Sequence, residues 1–429
     1  MSSTPSSLNP QVVTFGCRLN HYESEVMRDH ARAQGLEDAI IVNTCAVTNG
    51  AERQGRQSIR RLRRDNPNAT IIVTGCSAQI NPQQYADMAE VDRVLGNQEK
   101  MQRDSFAPVL SEAVHVADIM SLKETAHHLI AGFENQVRAF IEIQNGCDHR
   151  CTFCTIPFGR GNNRSVPMGE ILTRIRAFMD QGCQEIVFTG VDITGYGSDL
   201  PGTPTLGQMM RRILNLMPDL KRLRLSSIDP VEIDADLFDL MVHEPRLMPH
   251  FHLSLQSGDD MILKRMKRRH LRHDAIDLCQ RIRAIRSDVV FGADIIVGFP
   301  TETEDMFQQS LNIIQECDLT YLHVFPYSAR QGTPAARMPQ VIKSIIKERA
   351  QRLRALGDQQ LKTHLESCIG QTKSVLVERD HKGHTEHFTP VKFVDMYDHE
   401  TDQPDQFLGQ ILSVQVIGVD DKYLRVRRL

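Results

Sequence analysis

Three short runs near the start of the chain end alike: QVVTFGC closes on Cys17, AIIVNTC on Cys45 and TIIVTGC on Cys76. Each is a β-branched, apolar stretch of the length of a buried strand, and each is followed by a segment with helical spacing. Strands that alternate with helices predict a doubly wound parallel sheet, in which ligands sit outside the carboxyl ends of the strands. All three cysteines fall at that end. Cysteine is often simply buried, but core cysteines would be scattered through the strands. A shared topological position marks these three as candidate ligands.

A second cysteine group is tighter. GCDHRCTFC, from Gly146 to Cys154, carries Cys147, Cys151 and Cys154 with no fourth thiol close behind. Structural zinc wants four ligands in a closed tetrahedron, usually as two CxxC pairs. A [4Fe–4S] cube normally takes four thiolates. With three, one iron has no protein ligand, and an open coordination position is where a catalytic metal works. Asp148, His149 and Arg150 in the same loop read as solvent-facing residues.

The surroundings of this loop alternate on a larger scale. RAFIEIQNGC, EIVFTG, KRLRLSS, HFHLSLQS, VVFGADIIVGFP and YLHVFPYS are six strand-like runs, with helix-like stretches such as GEILTRIRAFMDQG and DMFQQSLNIIQEC between them. Six β/α units predict a curved parallel sheet or an open barrel. Polar residues and glycines gather at the strand ends: Thr189-Gly190, Ser226-Ser227, Gln256-Ser257 and Gly298. A charged helix over about Val341 to Glu366 leads into SVLVER, TPVKFV, GQILSVQVIGV and KYLRVRRL, which alternate at period two with turns such as HKGHT between them. That tail predicts a small antiparallel barrel. The stretch from about Arg103 to Asn135 has no clear period and reads as a connector, with His127 and His128 on a surface loop.

Composition narrows the class. The chain has 429 residues, 41% of them hydrophobic and 24% charged, the balance of a globular protein of two or three domains. Its start, MSSTPSSLNP, lacks the basic and apolar blocks of a secretory signal, and no apolar run approaches the roughly 18 residues of a membrane helix. A cytoplasmic protein without a membrane partner is expected, and its ten cysteines then read as ligands or core rather than disulfides. Cys183, Cys279, Cys317 and Cys368, which have no ligand-like neighbours, are assigned to the core. A formal net charge of −4 argues against a protein that simply coats nucleic acid. Two basic runs nevertheless suggest a polyanionic partner: Arg53, Arg56, Arg60, Arg61, Arg63 and Arg64, and then Lys264, Arg265, Lys267, Arg268, Arg269 and Arg272. The tail from Gln371 to Leu429 holds eight Lys/Arg against ten Asp/Glu and is not strongly basic.

These motifs resemble one family along the whole chain. CxxxCxxC after the first strand of a six-unit β/α array is similar to the radical S-adenosylmethionine (SAM) enzymes. TFGCRLNHYESE, VNTCAVTNGAERQGRQSIRR and VTGCSAQ resemble the N-terminal domain of the methylthiotransferases. QNGCDHRCTFCTIPFGRGNNRS, FTGVDITGYG, RLSSIDP, HLSLQSG, ADIIVGFPTET and FPYSARQGTPA resemble their central domain, and the tail resembles their tRNA-binding TRAM module.

The resemblance implies a methylthiotransferase domain over residues 8–118, a radical SAM core over 133–366 and a TRAM-like domain over 367–429. It implies two [4Fe–4S] clusters. One would be held by Cys147, Cys151 and Cys154, with SAM on the open iron and cleaved to a 5′-deoxyadenosyl radical. The other would be held by Cys17, Cys45 and Cys76 and would carry the sulfur. SAM contacts carried over by position are Thr189 and Gly190 for the amino group, Ser227 and Gln256 for ribose and carboxylate, and Gly298 beside adenine. Gly190 stands in TGV, where many radical SAM enzymes have two glycines and an acid.

Implied partners are the anticodon loop of tRNA, a flavodoxin- or ferredoxin-like electron donor and a sulfur source. GCRLNHYESE and VNTCAVTNGAERQGRQ resemble the branch that acts on N6-threonylcarbamoyladenosine. The isopentenyladenosine branch usually has Gln-Met where Arg18-Leu19 stands, and Arg18 would suit an anionic threonylcarbamoyl group. Other readings are the isopentenyl substrate, a ribosomal-protein aspartate, and a non-catalytic RNA-binding protein with metal sites.

Overall fold

A computed structural model describes residues 10–108, 112–122, 137–394 and 406–429. His127 and His128 lie outside the described residues. The first unit is a five-stranded parallel sheet in the order β1 to β5, formed by Gln11–Thr14, Ala39–Thr44, Thr70–Gly75, Arg93–Leu95 and Val114–His115. Its strands are apolar on both sides because both faces are covered, as a doubly wound sheet requires. Ile40, Val42, Ile71 and Val73 pack with Ile59 and Leu62 of helix Asn49–Asp65 on one face. Ile41 and Ile72 pack with Met27 and Ala31 of helix Arg18–Ala33 on the other.

The central unit contains six parallel strands in sequence order. These are β6 (Arg138–Glu142), β9 (Glu185–Thr189), β10 (Arg222–Leu225), β11 (His250–Gln256), β12 (Val290–Val297) and β13 (Leu319–Pro326). A small pair, β7 (Gln144–Asn145) and β8 (Arg164–Ser165), brackets the cysteine loop. The two three-stranded sheets join through the bridges Leu223↔Leu247 and Ile228↔Leu253 into one curved array that stays open between β13 and β6. Side chains alternate across it. Ile186, Phe188, Leu223, Leu225, Phe251, Leu253, Phe291 and Ala293 face the helices and form the largest core. The opposite positions, Glu185, Arg222, Arg224, His250, His252, Asp294, Tyr321 and His323, line the concave side. That interior is polar.

The tail closes into a five-stranded barrel of β14 (Thr372–Glu378), β15 (Lys382–Thr385), β16 (Pro390–Phe393), β17 (Ile411–Asp420) and β18 (Tyr423–Arg428). Two expectations are corrected: β16 and β18 pair in parallel, so the barrel is not wholly antiparallel, and HKGHT is largely strand β15 and not a turn. Gly383 sits opposite Val377 and Val391, and a Cβ there would lie 2.5 Å from the Leu376 carbonyl oxygen, so glycine marks close packing inside a barrel strand. The barrel plugs the floor of the open array. Arg222 donates to the Ser374 carbonyl (2.8 Å), and Arg224 donates to those of Thr385 (2.8 Å) and Glu386 (2.9 Å). Glu185 binds Arg222 (3.4 Å) and Arg224 (2.8 Å) and also pairs with Arg138. Burial would raise the Glu185 pKa, but Arg224 and Arg138 outweigh it and hold the carboxyl at about 2. Phe388 stacks on His250 with centroids 5.7 Å apart, and the guanidinium groups of Arg138 and Arg224 lie over its ring.

Cys279, Cys317 and Cys368 are buried and Cys183 is half-buried; the first two lie in the central core and Cys368 lies in that of the tail barrel. Among the described residues no helix is long and apolar enough to cross a membrane.

Candidate functional site

Cys17, Cys45 and Cys76 follow the carboxyl ends of three adjacent parallel strands, so the sheet brings them to one edge. Two of the turns depend on glycine. Gly16 has φ +107, and a Cβ there would sit 3.1 Å from Cys45 Sγ; Gly75 has φ +98, and its Cβ would sit 2.3 Å from the Thr44 carbonyl oxygen. Both are conformations that side chains resist. The sulfurs receive polar hydrogens: Val47 N–H reaches Cys45 Sγ (3.5 Å) and Asn97 Nδ2 reaches Cys76 Sγ (3.8 Å). Burial, followed by the proximity of Cys76 and Cys17, pushes the free Cys45 thiol up to about 11.

Cys147, Cys151 and Cys154 lie on the loop between β7 and β8. Cys147 N–H donates to the Gly161 carbonyl (3.0 Å), Cys154 N–H to that of Cys151 (3.0 Å), and Ile156 N–H to Cys154 Sγ (3.4 Å). Gln144 ties this loop to the end of β9. Its Oε1 accepts from Val191 N (3.0 Å) and Asp192 N (2.8 Å), and its Nε2 donates to the Gly146 carbonyl (2.7 Å). Arg268 Nη1 lies 3.8 Å from Cys151 Sγ, while its Nη2 holds Asp229 (2.8 Å) and the Ser254 carbonyl (2.7 Å). Burial, then Cys151 and, more weakly, Cys76, push the free Cys154 thiol up to about 12.

That influence of Cys76 on Cys154 reflects how the two triads meet. A Cβ on Gly159 would lie 3.1 Å from Cys76 Cβ. Thr155 Oγ1 donates to the Ala46 carbonyl (3.3 Å), and Asn97 Nδ2 donates to that of Gly159. Arg160 crosses the same seam, only 2% exposed, to Glu23 (2.8 Å) and Asn20 (2.6 Å). Burial opposes its charge, but Cys76, Glu23 and Cys17 raise its pKa well above the ordinary value. Glu23 also binds Lys100 at 2.6 Å. A fixed cation beside three thiols favours thiolates, the form that binds iron.

Both triads fit a [4Fe–4S] group by donor chemistry. Each offers three soft sulfurs at a strand-end rim, with N–H or guanidinium donors near the sulfurs of the kind that stabilise cluster thiolates. Cys147, His149 and Asp192 also bring donor atoms within 4.8 Å of one another. His149 Nε2, however, is engaged by Asp192 (2.8 Å) and Glu232 (3.3 Å), so His149 is not the solvent-facing residue its loop suggested.

The five residues expected around SAM lie along the ends of β9 to β12. Thr189 is 1% exposed. Gly190 faces Gln144, whose Oε1 would be 2.8 Å from a Cβ there. Ser227 and Gln256 are half-buried, the latter with φ +72. Gly298 donates its N–H to Glu302 (2.8 Å) and has Ile346 of helix Lys343–Ser367 against its α-carbon. Sequence reasoning missed Asp192, 3.7 Å from Cys147 Sγ, along with Gln144, Arg160 and Arg268. The signal available for Asp192 was the acid two residues after Gly190. In the basic run 264–272 the arginines have partners within the chain, Arg268 and Arg269 on Asp229, Arg265 on Thr301 and Arg272 on Glu316, while Lys264, Lys267 and Arg269 stay exposed. On helix Asn49–Asp65, Arg53, Arg60, Arg61 and Arg64 stay exposed.

An open parallel β/α array with three thiols on the loop after its first strand defines the radical SAM class, and residues 141–314 match the Radical SAM superfamily. Residues 10–96 match Uncharacterized protein family UPF0004. The threonylcarbamoyladenosine tRNA methylthiotransferase MtaB of Rickettsia prowazekii is 53% identical over 98% of this chain and 97% of that protein. MtaB of Bacillus subtilis is 33% identical over 96% and 94%. The tRNA-2-methylthio-N(6)-dimethylallyladenosine synthase of Roseobacter denitrificans is 34% identical over 95% of each. The fold is also similar to that of the radical SAM methyltransferase TsrM of Kitasatospora setae, with TM-score 0.56 and 13% identity over 77% of each chain. The chain belongs to the methylthiotransferase family of these relatives.

Proposed function

We propose that this chain methylthiolates C2 of N6-threonylcarbamoyladenosine-37 in tRNA, giving the 2-methylthio nucleoside, with SAM as methyl donor and radical source. The observation that carries the substrate is the near-full-length 53% identity to a relative of that name, against 34% for the relative named for dimethylallyladenosine.

Cys147, Cys151 and Cys154 would hold the SAM-binding [4Fe–4S] cluster, and Cys17, Cys45 and Cys76 a second one. When bound, these groups supply one-electron chemistry at an adenine C–H that offers no acidic proton to a side-chain base, together with the sulfur to be inserted. The residues of the chain bind and orient. Thr189, Gly190, Ser227, Gln256 and Gly298 are assigned to the SAM rim, with Asp192 beside Cys147 joining them. Arg160, held by Glu23 and Asn20, keeps the two triads at a fixed spacing and balances thiolate charge. Gln144 fixes the cysteine loop against the end of β9, so the methionine end of SAM and its ligating loop move as one body. The exposed arginines of helix Asn49–Asp65 are candidates for phosphate contacts. The reading includes a flavodoxin- or ferredoxin-like reductant, a sulfur source, and the cytoplasm, where the tRNA pool is, as the location.

The test is mass spectrometry of tRNA nucleosides from cells with and without the gene. Loss of 2-methylthio-threonylcarbamoyladenosine is expected. Loss from the isopentenyl nucleoside instead would overturn the substrate.

A further inference from the structure

The concave face of the central array holds a polar group that the cluster chemistry does not use. The register pairs Asp294 of β12 with His323 of β13, one layer above Gly292–Tyr321 and one below Ile296–Phe325. His252 Nε2 lies 2.8 Å from Asp294 Oδ1, and His323 Nδ1 lies 3.0 Å from the same oxygen. The two rings are 4.6 Å apart. A Cβ on Gly292 would come within 2.7 Å of His252 Nδ1, so the glycine makes room for that ring. Asp294 is four residues down β12 from Gly298, about 13 Å at the rise of a strand.

The His323 side chain remains 59% exposed and Phe325 remains 38% exposed, although both point into the array. The interior between rim and floor is therefore open. Arg18 enters this space from the N-terminal unit, with its guanidinium carbon 5.3 Å from the centroid of Phe388. Among the described residues it has no acidic side chain within ion-pair distance. A half-buried guanidinium without a carboxylate is costly unless a ligand brings one.

We infer that Arg18 and His323, with His252 and Asp294 fixing the His323 ring, form the pocket that selects the modified adenosine by its side arm. This rests on the function proposed above. Arg18 is the counter-ion for the threonyl carboxylate. With Nδ1–H donated to Asp294, His323 keeps Nε2 as an acceptor for the threonyl hydroxyl, and Phe325, edge-on to His323 at 6.5 Å, gives the arm an apolar wall. An isopentenyl arm carries no charge and no donor. It would leave Arg18 and His323 desolvated and unpaired, which is how a polar site rejects an apolar analogue. The three donors His252, Asp294 and His323 lie within 4.8 Å of one another, the reach of a metal site, but one Asp294 oxygen already takes both imidazoles.

The test uses anaerobically isolated holoprotein and synthetic anticodon stem-loops carrying threonylcarbamoyladenosine, isopentenyladenosine or plain adenosine at position 37. Kd is measured for the wild type, Arg18→Met and His323→Phe, with cluster absorbance and thermal melting as controls for folding. The threonylcarbamoyl-over-adenosine preference of the wild type is expected to fall at least about tenfold in each variant. His323 is remote from the cysteines, so its variant keeps the test valid if Arg18→Met loses a cluster. A preference unchanged in both folded variants, while the wild type still methylthiolates the threonylcarbamoyl stem-loop, overturns the pocket and leaves the function standing. Turnover of the isopentenyl stem-loop alone overturns both. A metal beyond the cluster iron, lost in His323→Phe, also overturns the pocket.

Discussion

Arg160 does at the residue scale what no cysteine can. It reaches the N-terminal unit from inside the central cysteine segment, bridging Asn20 and Glu23 while lying close to Cys76 and Cys17. Removing it leaves Glu23, a fully buried carboxylate that burial would protonate and that Arg160 and Lys100 together hold at about 2, with Lys100 alone. Arg160→Met is expected to destabilise the protein toward the lower end of the roughly 3–5 kcal/mol that breaking a buried ion pair costs, because Lys100 stays with Glu23, as read by denaturant unfolding. It is also expected to lower iron content toward that of one cluster, because the thiolates of the first triad lose their cation. Full iron with unchanged stability would assign Arg160 no such role.

At the scale of elements, the strand-end turns decide where sulfur is presented. Gly75 separates β3 from Cys76 with φ +98, and a side chain there would run into the Thr44 and Asn43 backbone and amide atoms within 2.6 Å. Gly75→Ala is therefore expected to cost more than the about 1 kcal/mol that glycine-to-alanine exchanges usually involve, through strain at positive φ and clash together. Iron analysis should show the loss falling on the first cluster. An alanine variant with normal iron and melting would mean that the β3 turn relaxes freely.

The whole molecule is three units locked at two seams, the triads at the rim and the tail barrel at the floor. His364, at the end of helix Lys343–Ser367, contacts Thr389 Oγ1 (3.1 Å) and faces Tyr321 at the floor seam. Burial, then His387 and Lys373, lower its pKa from 6.5 to about 4. A depressed folded-state pKa means that the unfolded chain binds the proton first. The contribution is thus fully present above pH 6.5, falls as pH drops through the window to about 4, and is then lost. Melting temperature is expected to decline across that window, and the decline should be shallower in His364→Gln. Parallel curves for the two proteins would remove His364 from the seam.

Much of this was readable from the chain. Period, β-branching and turn residues gave six strand runs, the doubly wound sheet and the tail barrel, because local pattern reports which face of each element is buried. The two cysteine triplets were visible because each sits at a strand end or in a tight loop, positions that spacing encodes. HKGHT read as a turn because composition does not show that Gly383 is hemmed in by a neighbouring strand. The 264–272 run read as a surface for a polyanionic partner because a sequence displays charges without their partners. Arg160, Gln144 and the Asp294 histidine pair had no local signature, and Asp192 had only its place two residues after Gly190. Their partners lie tens to more than a hundred residues away, and only the packing of the units placed charge against charge and opened the interior that Arg18 enters.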